Sequence, residues 1–304
     1  MRRDLAFRVT PREDGSRLDR FLRDRVPDVP ARSVRFAIAA GRVSVNGARA
    51  AKGVPVREGD RVAVSEIAER EDWLPAPGAV TGAAVLYRDD WAAVLDKPAG
   101  VHTEAHRPGE TGTLAGFLRW ICPSVVEFSE GPGLSLLTRL DYATSGAVPA
   151  ALTEEAFREL RRQRDHGEIR KTYLCVVSGR FEGELVMPYP LETEGGERAR
   201  VRTDLRDPDE SRWTAVTPVR AGEGWTLVRA RIRRGKRHQI RAHLAAAGFP
   251  IVGDRLYSAV PPAGPGHERL LLHAEAVEFV HPGRGERVRV ESPAPPAFAE
   301  FRIT

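Results

Sequence analysis

Leu136-Leu137-Thr138-Arg139-Leu140-Asp141-Tyr142-Ala143-Thr144-Ser145-Gly146 is the stretch on which the fold and chemistry of this chain turn. It runs through apolar or neutral positions to a single acid, carries an arginine two residues before it, and then turns on small residues. A chain presenting one reactive carboxylate needs this pattern, because burial opposes ionisation and a nearby guanidinium favours it. Asp141 is the candidate reactive acid, at the end of an extended strand that sets Arg139 on the same side. A plainer reading, a strand leaving a core through an ion-paired turn, fits the same residues, and the segment alone does not choose.

Outward from Asp141, Val85-Leu86-Tyr87 and Trp91 to Leu95 predict a hairpin that enters the loop Asp96-Lys97-Pro98-Ala99-Gly100-Val101. Leu114 to Trp120 and Thr153 to Arg164 read as helices, the second with Thr153 at its N-cap and Glu154 and Glu155 in its first turn, where the dipole favours acids. Lys171 to Val177 and Thr226 to Ile232 read as strands, and Arg237 to Ala247 as a short helix ended by Gly248. Strands and helices that do not alternate regularly predict an α+β domain with a mixed, mainly antiparallel sheet. Residues 229 to 241 hold seven basic side chains and no acid. Strand alternation places Arg229, Arg231 and Arg233 on one face, either as a track for phosphates or as a solvated edge strand guarded against aggregation.

Toward the N-terminus, Leu18, Phe21, Leu22 and Val26 recur at helical spacing, and Pro27 and Pro30 break the pattern. Ser33 is placed to cap a second helix with Val34, Ala37 and Ile38 on one face, ended by Gly41. Val43 to Gly47 alternates and turns on Asn46-Gly47, a hairpin signal, and Val54 to Val62 supplies a further turn and strand. Residues 16 to 64 hold 11 basic and 5 acidic side chains, whereas residues 65 to 304 hold 32 and 34. The positive excess sits in the small N-terminal unit, as in a polyanion-binding module joined to a body with another task. The expected organisation is a small unit over 1–67, a linker over 68–82 with acids, prolines and little periodicity, and a large unit over 83–304.

The chain has 304 residues, 41% hydrophobic, a formal net charge of +5 and a sequence pI near 9.5. No apolar run approaches the roughly 20 residues of a membrane span, and no secretory stretch follows Met1-Arg2-Arg3-Asp4, so a cytoplasmic protein without a membrane partner is expected. Cys122 and Cys175 form no CxxC pair and read as packing residues. The eight histidines include no HExxH pattern, and the helix-like pair His238 and His243 is spaced by five, so no metal is expected.

Taken with Arg170-Lys171-Thr172-Tyr173, Arg234-Gly235-Lys236-Arg237-His238-Gln239-Ile240-Arg241-Ala242-His243, Gly248 to Tyr257 and Leu271-Leu272-His273-Ala274, the Asp141 segment resembles the signature of the RluA family of pseudouridine synthases. The Asp96 to Val101 loop resembles another motif of that family, and residues 16 to 64 resemble an S4 RNA-binding domain. The resemblance implies an S4-type α/β module followed by a pseudouridine-synthase-type catalytic domain. The reaction it implies converts uridine within RNA to its C5-linked isomer, with no cofactor and no metal. Its partner is RNA, large-subunit ribosomal RNA first and transfer RNA second, and the enzyme is expected to act as a monomer.

By the same resemblance Asp141 is the catalytic acid, either attacking the sugar or acting as base at its 2′ position, and Arg241 is its charge partner. Tyr173 stacks on the extruded uracil with its phenol near C5, Arg139 fills the stack the flipped base vacates, and Thr144 shapes the turn behind the acid. Arg32, Arg35, Arg42 and Arg49 are the expected phosphate contacts of the small unit. Arg229, Arg231, Arg233 and Lys171 are those of the large one, with a structural ion-pair role for Lys171 as the alternative. The chain departs from the family at Thr138, where histidine is usual, at Ser258 after Tyr257, where glycine is usual, and at Pro149, which interrupts an apolar strand and predicts an edge or bulged position. Two other readings compete: a non-catalytic S4-type binder in ribosome assembly, and an N-glycosidase, which would need a second carboxylate to position water.

Overall fold

In the computed structural model, which describes residues 3–129, 131–193, 197–258 and 269–301, the chain divides into two units. One comprises Met1–Ala76 with Ala105–Thr111 and Glu130–Pro132; the other comprises Pro77–Glu104, Gly112–Ser129 and Gly133–Thr304.

In the small unit, β1 (Arg3–Arg8) precedes α1 (Leu18–Arg25) and α2 (Ala31–Ala39), followed by β2 (Val43–Val45), β3 (Ala48–Arg49) and β4 (Arg61–Ile67). The strands pair antiparallel in the order β1-β4-β2-β3. Leu18, Phe21 and Leu22 from α1 and Val34, Ala37 and Ile38 from α2 are buried with Val43, Val62 and Val64 from the sheet. The helical spacing thus becomes one apolar core. Asn46 and Gly47 both take positive φ, +53° and +82°, as a tight hairpin turn requires.

Two expectations for this region change. Helix α2 begins at Ala31 directly after Pro30, so Ser33 lies inside it, buried, and its Oγ accepts the Trp73 indole N–H at 2.8 Å. Proline, which ends one helix, is also suited to start the next. The stretch 68–82 is not a free linker. Its residues through Ala76 belong to the small unit, where Glu71–Trp73 forms a 3-10 turn and Trp73 is buried edge-on against Phe36. A lone tryptophan among acids and prolines has no periodicity to announce its burial.

The large unit is built on nine strands: β5 (Ala84–Arg88), β6 (Ala92–Lys97), β7 (Ser145–Ala151), β8 (Arg170–Ser178), β9 (Leu185–Met187), β12 (Thr214–Gly222), β13 (Trp225–Ile232), β14 (Leu272–Val280) and β15 (Arg287–Glu291). The order is β5-β6-β7-β14-β8-β13-β12-β9, with β15 also on β14, while β10 (Leu191–Glu192) and β11 (Arg200–Val201) form a separate ribbon. Only β7 and β14 pair parallel, so the sheet is mixed and mainly antiparallel, and the fold is α+β. The helices are α3 (Leu114–Ile121), α4 (Val125–Phe128), α5 (Glu154–His166) and α6 (Gln239–Ala246). Thr153 caps α5 by accepting the Ala156 N–H at 3.2 Å, and Gly167 ends it in the left-handed region. No helix among the described residues is long and apolar enough to cross a membrane.

Strand β7 is interior, between β6 and β14, which corrects the edge position predicted from Pro149. Its pairing with β14 covers only Ser145 and Gly146, so the proline falls beyond that ladder and removes no bond from it. The Pro149 carbonyl instead accepts the Leu137 N–H at 2.8 Å, which anchors the segment leading to Asp141. Strand β13 likewise lies between β8 and β12, so Arg229, Arg231 and Arg233 do not guard a sheet edge.

The turn after Asp141 enters β7 through Gly146, whose φ is +117°. A Cβ there would lie 2.3 Å from the Ala274 carbonyl oxygen, a backbone atom that cannot yield. Gly146→Ala should therefore destabilise the large unit by about 3 kcal/mol or more, read as a lower denaturant midpoint. An unchanged midpoint would show that β7 and β14 do not pack this closely.

Candidate active site

Asp141 lies in an irregular segment just before β7, not at a strand end as expected, and its carbonyl accepts the Thr144 N–H at 3.0 Å. Leu140 is held by Thr103, whose Oγ1 donates to the Leu140 carbonyl at 2.8 Å and accepts its N–H at 3.1 Å. The next carbonyl, of Tyr142, accepts the Gly100 N–H at 2.8 Å and the Lys97 ammonium at 3.3 Å. Lys97 is fully buried and also donates to the carbonyls of Pro98 and Val101, at 2.9 and 2.7 Å. Burial pulls its pKa down to about 7, although the Asp141 charge pulls the other way. The backbone on both sides of the acid is thus fixed by side chains from the 97–103 loop.

The carboxylate meets Arg241 on α6, whose Nη1 donates to Asp141 Oδ2 at 2.7 Å. The rest of that guanidinium is bound in bidentate fashion by Asp254, Nε to Oδ2 at 2.7 Å and Nη2 to Oδ1 at 2.9 Å. The Asp254 side chain is 0% exposed, and its Oδ1 also accepts the backbone N–H groups of Leu256 and Tyr257. Burial works against its charge, but Arg241 and these donors hold its carboxyl below the usual range. Asp141 is 26% exposed and accepts its bond from the third nitrogen, Nη1, so it is oriented and reachable.

Beside this pair, His238 Nε2 lies 3.8 Å from Asp141 Oδ2, and Nδ1 lies 3.1 Å from the Tyr257 phenol oxygen. Arg241 sits over the Tyr257 ring at 5.3 Å. Tyr173, on β8 between β13 and β14, is 6% exposed. Burial, and then the Asp141 charge, push its phenol pKa well up. Its hydroxyl carries no hydrogen bond to another described residue. The site therefore brings together a carboxylate, a fixed guanidinium, an imidazole and a buried aromatic ring. Among the described residues no group of three or more His, Cys, Asp or Glu could hold a metal.

Of the remaining expected residues, Arg139 is 70% exposed and turned to Glu104, Nη1 to Oε1 at 2.6 Å. Thr144 is buried behind the acid, and its Oγ1 has no partner. Lys171 is only 7% exposed on the interior strand β8, so it is not a surface phosphate contact, and burial lowers its pKa to about 8. Its ion-pair alternative fails too, since no carboxylate is bound to it among the described residues. Arg229, Arg231 and Arg233 share one exposed face as expected, but Arg229 is bound by Glu275 through two bonds of 2.8 and 3.0 Å. In the small unit, Arg35 is exposed, Arg32 lies over Trp73 at 5.4 Å, Arg42 faces Glu66 at 3.5 Å, and Arg49 donates to the Ala39 carbonyl at 3.3 Å.

Lys97, His238, Asp254 and Tyr257 stand inside motifs that by themselves assign none of them a role. Asp254 carried a usable signal, as an acid flanked by Gly253 and Arg255 just after an apolar turn.

The sequence profile of the RNA pseudouridylate synthase family matches residues 92–246. The chain is 34% identical over 301 residues to ribosomal large subunit pseudouridine synthase C of Escherichia coli K12, covering 94% of this chain and 91% of that protein. It is 33% identical over 299 residues to ribosomal large subunit pseudouridine synthase D of Xanthomonas campestris pv. campestris, covering 92% and 86%. Human RNA pseudouridylate synthase domain containing 1 shares the fold, with a TM-score of 0.53 and 24% identity over 72% of this chain and 86% of that one.

Asp254→Asn should cost about 3–5 kcal/mol at pH 7, because it leaves the Arg241 charge short of its buried partner. A carboxyl with a depressed folded pKa stabilises fully above its unfolded value of about 3.9, and that contribution is lost as pH falls through the folded one. The gap between variant and wild type, followed by denaturation from pH 7 to pH 2, should therefore close on the acid side.

Proposed function

We propose that this chain, which belongs to the RNA pseudouridylate synthase family, modifies uridines of large-subunit ribosomal RNA and that Asp141 is the carboxylate that reacts at the sugar. The protein is a pseudouridine synthase, an isomerase. Uridine becomes its C5-linked isomer by cleavage of the glycosidic bond, rotation of the uracil and formation of a carbon–carbon bond to the same sugar. The observation that carries Asp141 is the shared guanidinium: Asp254 binds two of its nitrogens, and Asp141 binds the third with its carboxylate still reachable. A structural ion pair has no need of that second acid.

Arg241 orients the carboxylate through its 2.7 Å bond and presents a fixed positive charge beside it. Tyr173 forms the aromatic wall against which an extruded uracil stacks. Its phenol oxygen then stands near C5, the carbon from which a proton must leave. Arg139, held only by an exposed ion pair worth about 0–1 kcal/mol, is free to leave Glu104 and fill the gap in a flipped stack. The S4-type unit over residues 16–64 supplies backbone contacts through Arg32, Arg35, Arg42 and Arg49, and Arg231 and Arg233 extend them on the large unit. The identity of the RNA rests on the large-subunit ribosomal synthases at 33–34% identity.

Asp141→Asn should reduce tritium release from C5-labelled large-subunit ribosomal RNA to background while leaving RNA affinity within a few-fold of wild type. Equal release by the variant would remove Asp141 from the chemistry, and release from transfer RNA alone would change the substrate. Arg35→Ala should weaken binding across sequences and reduce the slope of log affinity against log salt by about 1. An unchanged slope, measured by fluorescence anisotropy, would take Arg35 off the phosphate path.

A further inference from the structure

Tyr142 follows Asp141 directly and is 56% exposed, whereas Leu140, on the other side of that acid, is buried. A single exposed aromatic on a protein surface needs no explanation. This one is mounted on a rigid support. Its carbonyl accepts the Gly100 N–H at 2.8 Å and the buried Lys97 ammonium at 3.3 Å, which fixes the backbone that bears the ring. The phenol oxygen lies over Gly100, where a Cβ would stand 3.9 Å from it. The ring leans on the half-buried imidazole of His102, with centroids 4.8 Å apart and planes tilted by 57°. His102 is fixed in turn, because its carbonyl accepts the Leu114 N–H at 2.9 Å and the Thr103 carbonyl accepts the Ala115 N–H at 3.0 Å. Those two bonds tie the 97–103 loop to the first turn of α3. The Tyr142 hydroxyl makes no hydrogen bond to another described residue, so packing and backbone hold the ring and its polar tip is left for something else.

We propose that Tyr142, backed by His102, is a stacking platform for the nucleobase next to the target uridine. The proposal rests on the sugar-reacting role of Asp141 given above. Consecutive Cα atoms are only about 3.8 Å apart, so the Tyr142 ring stands within one nucleotide of whatever sugar Asp141 meets. When the uracil is extruded, each neighbouring base loses the partner on one of its faces. Arg139, with its exposed ion pair to Glu104, is assigned the vacated place, and Tyr142 takes the open face of one neighbour. A phosphate at this position would call for a cation, whereas the residue present offers a π face and an unbonded hydroxyl. Stacking of this kind accepts any base, because every base has a π face, and a purine covers more of the ring than a pyrimidine. Tyr142 thus selects RNA whose flanking base is already unpaired or can leave its own stack.

The test uses a synthetic hairpin of large-subunit ribosomal RNA containing a uridine that wild type converts, with an abasic residue or 2-aminopurine on the 5′ or the 3′ side of it. On one side, the abasic residue should raise KM for wild type by about 5–150-fold, the range that one base–aromatic stack supplies. Tyr142→Ala should raise KM on intact RNA by a similar factor with kcat within a few-fold, while Tyr142→Phe should match wild type. The abasic residue should then cost Tyr142→Ala nothing further, since both changes remove one contact. 2-Aminopurine on that side should lose fluorescence on binding wild type and keep it with Tyr142→Ala.

Losses that multiply when the two changes are combined would overturn the proposal. So would a fall in kcat at unchanged KM, which marks a residue that only positions Asp141. The abasic comparison on wild type depends on no variant's folding, and an unchanged KM from either side would overturn the proposal by itself. Failure of wild type to convert any uridine of large-subunit ribosomal RNA would overturn the reading on which the proposal rests, which separates the two failures.

Discussion

One guanidinium shared between two carboxylates holds the catalytic unit in its working form. Burying a charge pair costs several kcal/mol per ion, repaid only when geometry is good and the remaining donors and acceptors are used. Arg241 meets that condition by a bidentate bond to the fully buried Asp254, which is itself held by two backbone N–H groups. With its cost met from behind, the third bond is available to orient Asp141. Asp141 thus sits in a frame that the fold itself supplies, and electrostatic preorganisation of this kind needs no rearrangement at the moment of reaction.

The sheet puts that frame together from distant parts of the chain. Strand β8 carries Tyr173, β13 leads into the turn before α6 and so to His238 and Arg241, and β7 follows directly on Asp141. The close approach of Gly146 to the Ala274 carbonyl sets β7 against β14, and β14 in turn pairs with β8. Lys97 and Thr103 then tie the Asp141 backbone to the 97–103 loop. Two buried polar side chains are spent on positioning backbone carbonyls, a use that explains their burial without giving either a part in the chemistry.

Much of this was legible in the chain. The 16–64 charge excess, the Asn46-Gly47 turn, the Thr153 cap and the core periodicity of α1 and α2 are local signals, fixed by backbone geometry or side-chain spacing. The pairing of Asp141 with Arg241 was legible through their motifs. The failures lie where a neighbour outside the segment decides. Pro149 is tolerated inside the sheet because β14 stops short of it, Trp73 packs edge-on against Phe36, and Lys171 is enclosed because β8 is interior.

The sequence by itself determined the α+β class, the helices and turns, and the residue types of the site, because each follows from local propensity or from a motif contained in one segment. The tertiary structure alone decided that Asp254 completes the Arg241 bridge and that Tyr257 meets His238. It also decided that Arg229 is occupied by Glu275. These pairs are separated by between 13 and 46 positions in the chain, and only the folded backbone brings hydrogen-bonding groups that far apart to within 3 Å or so of each other.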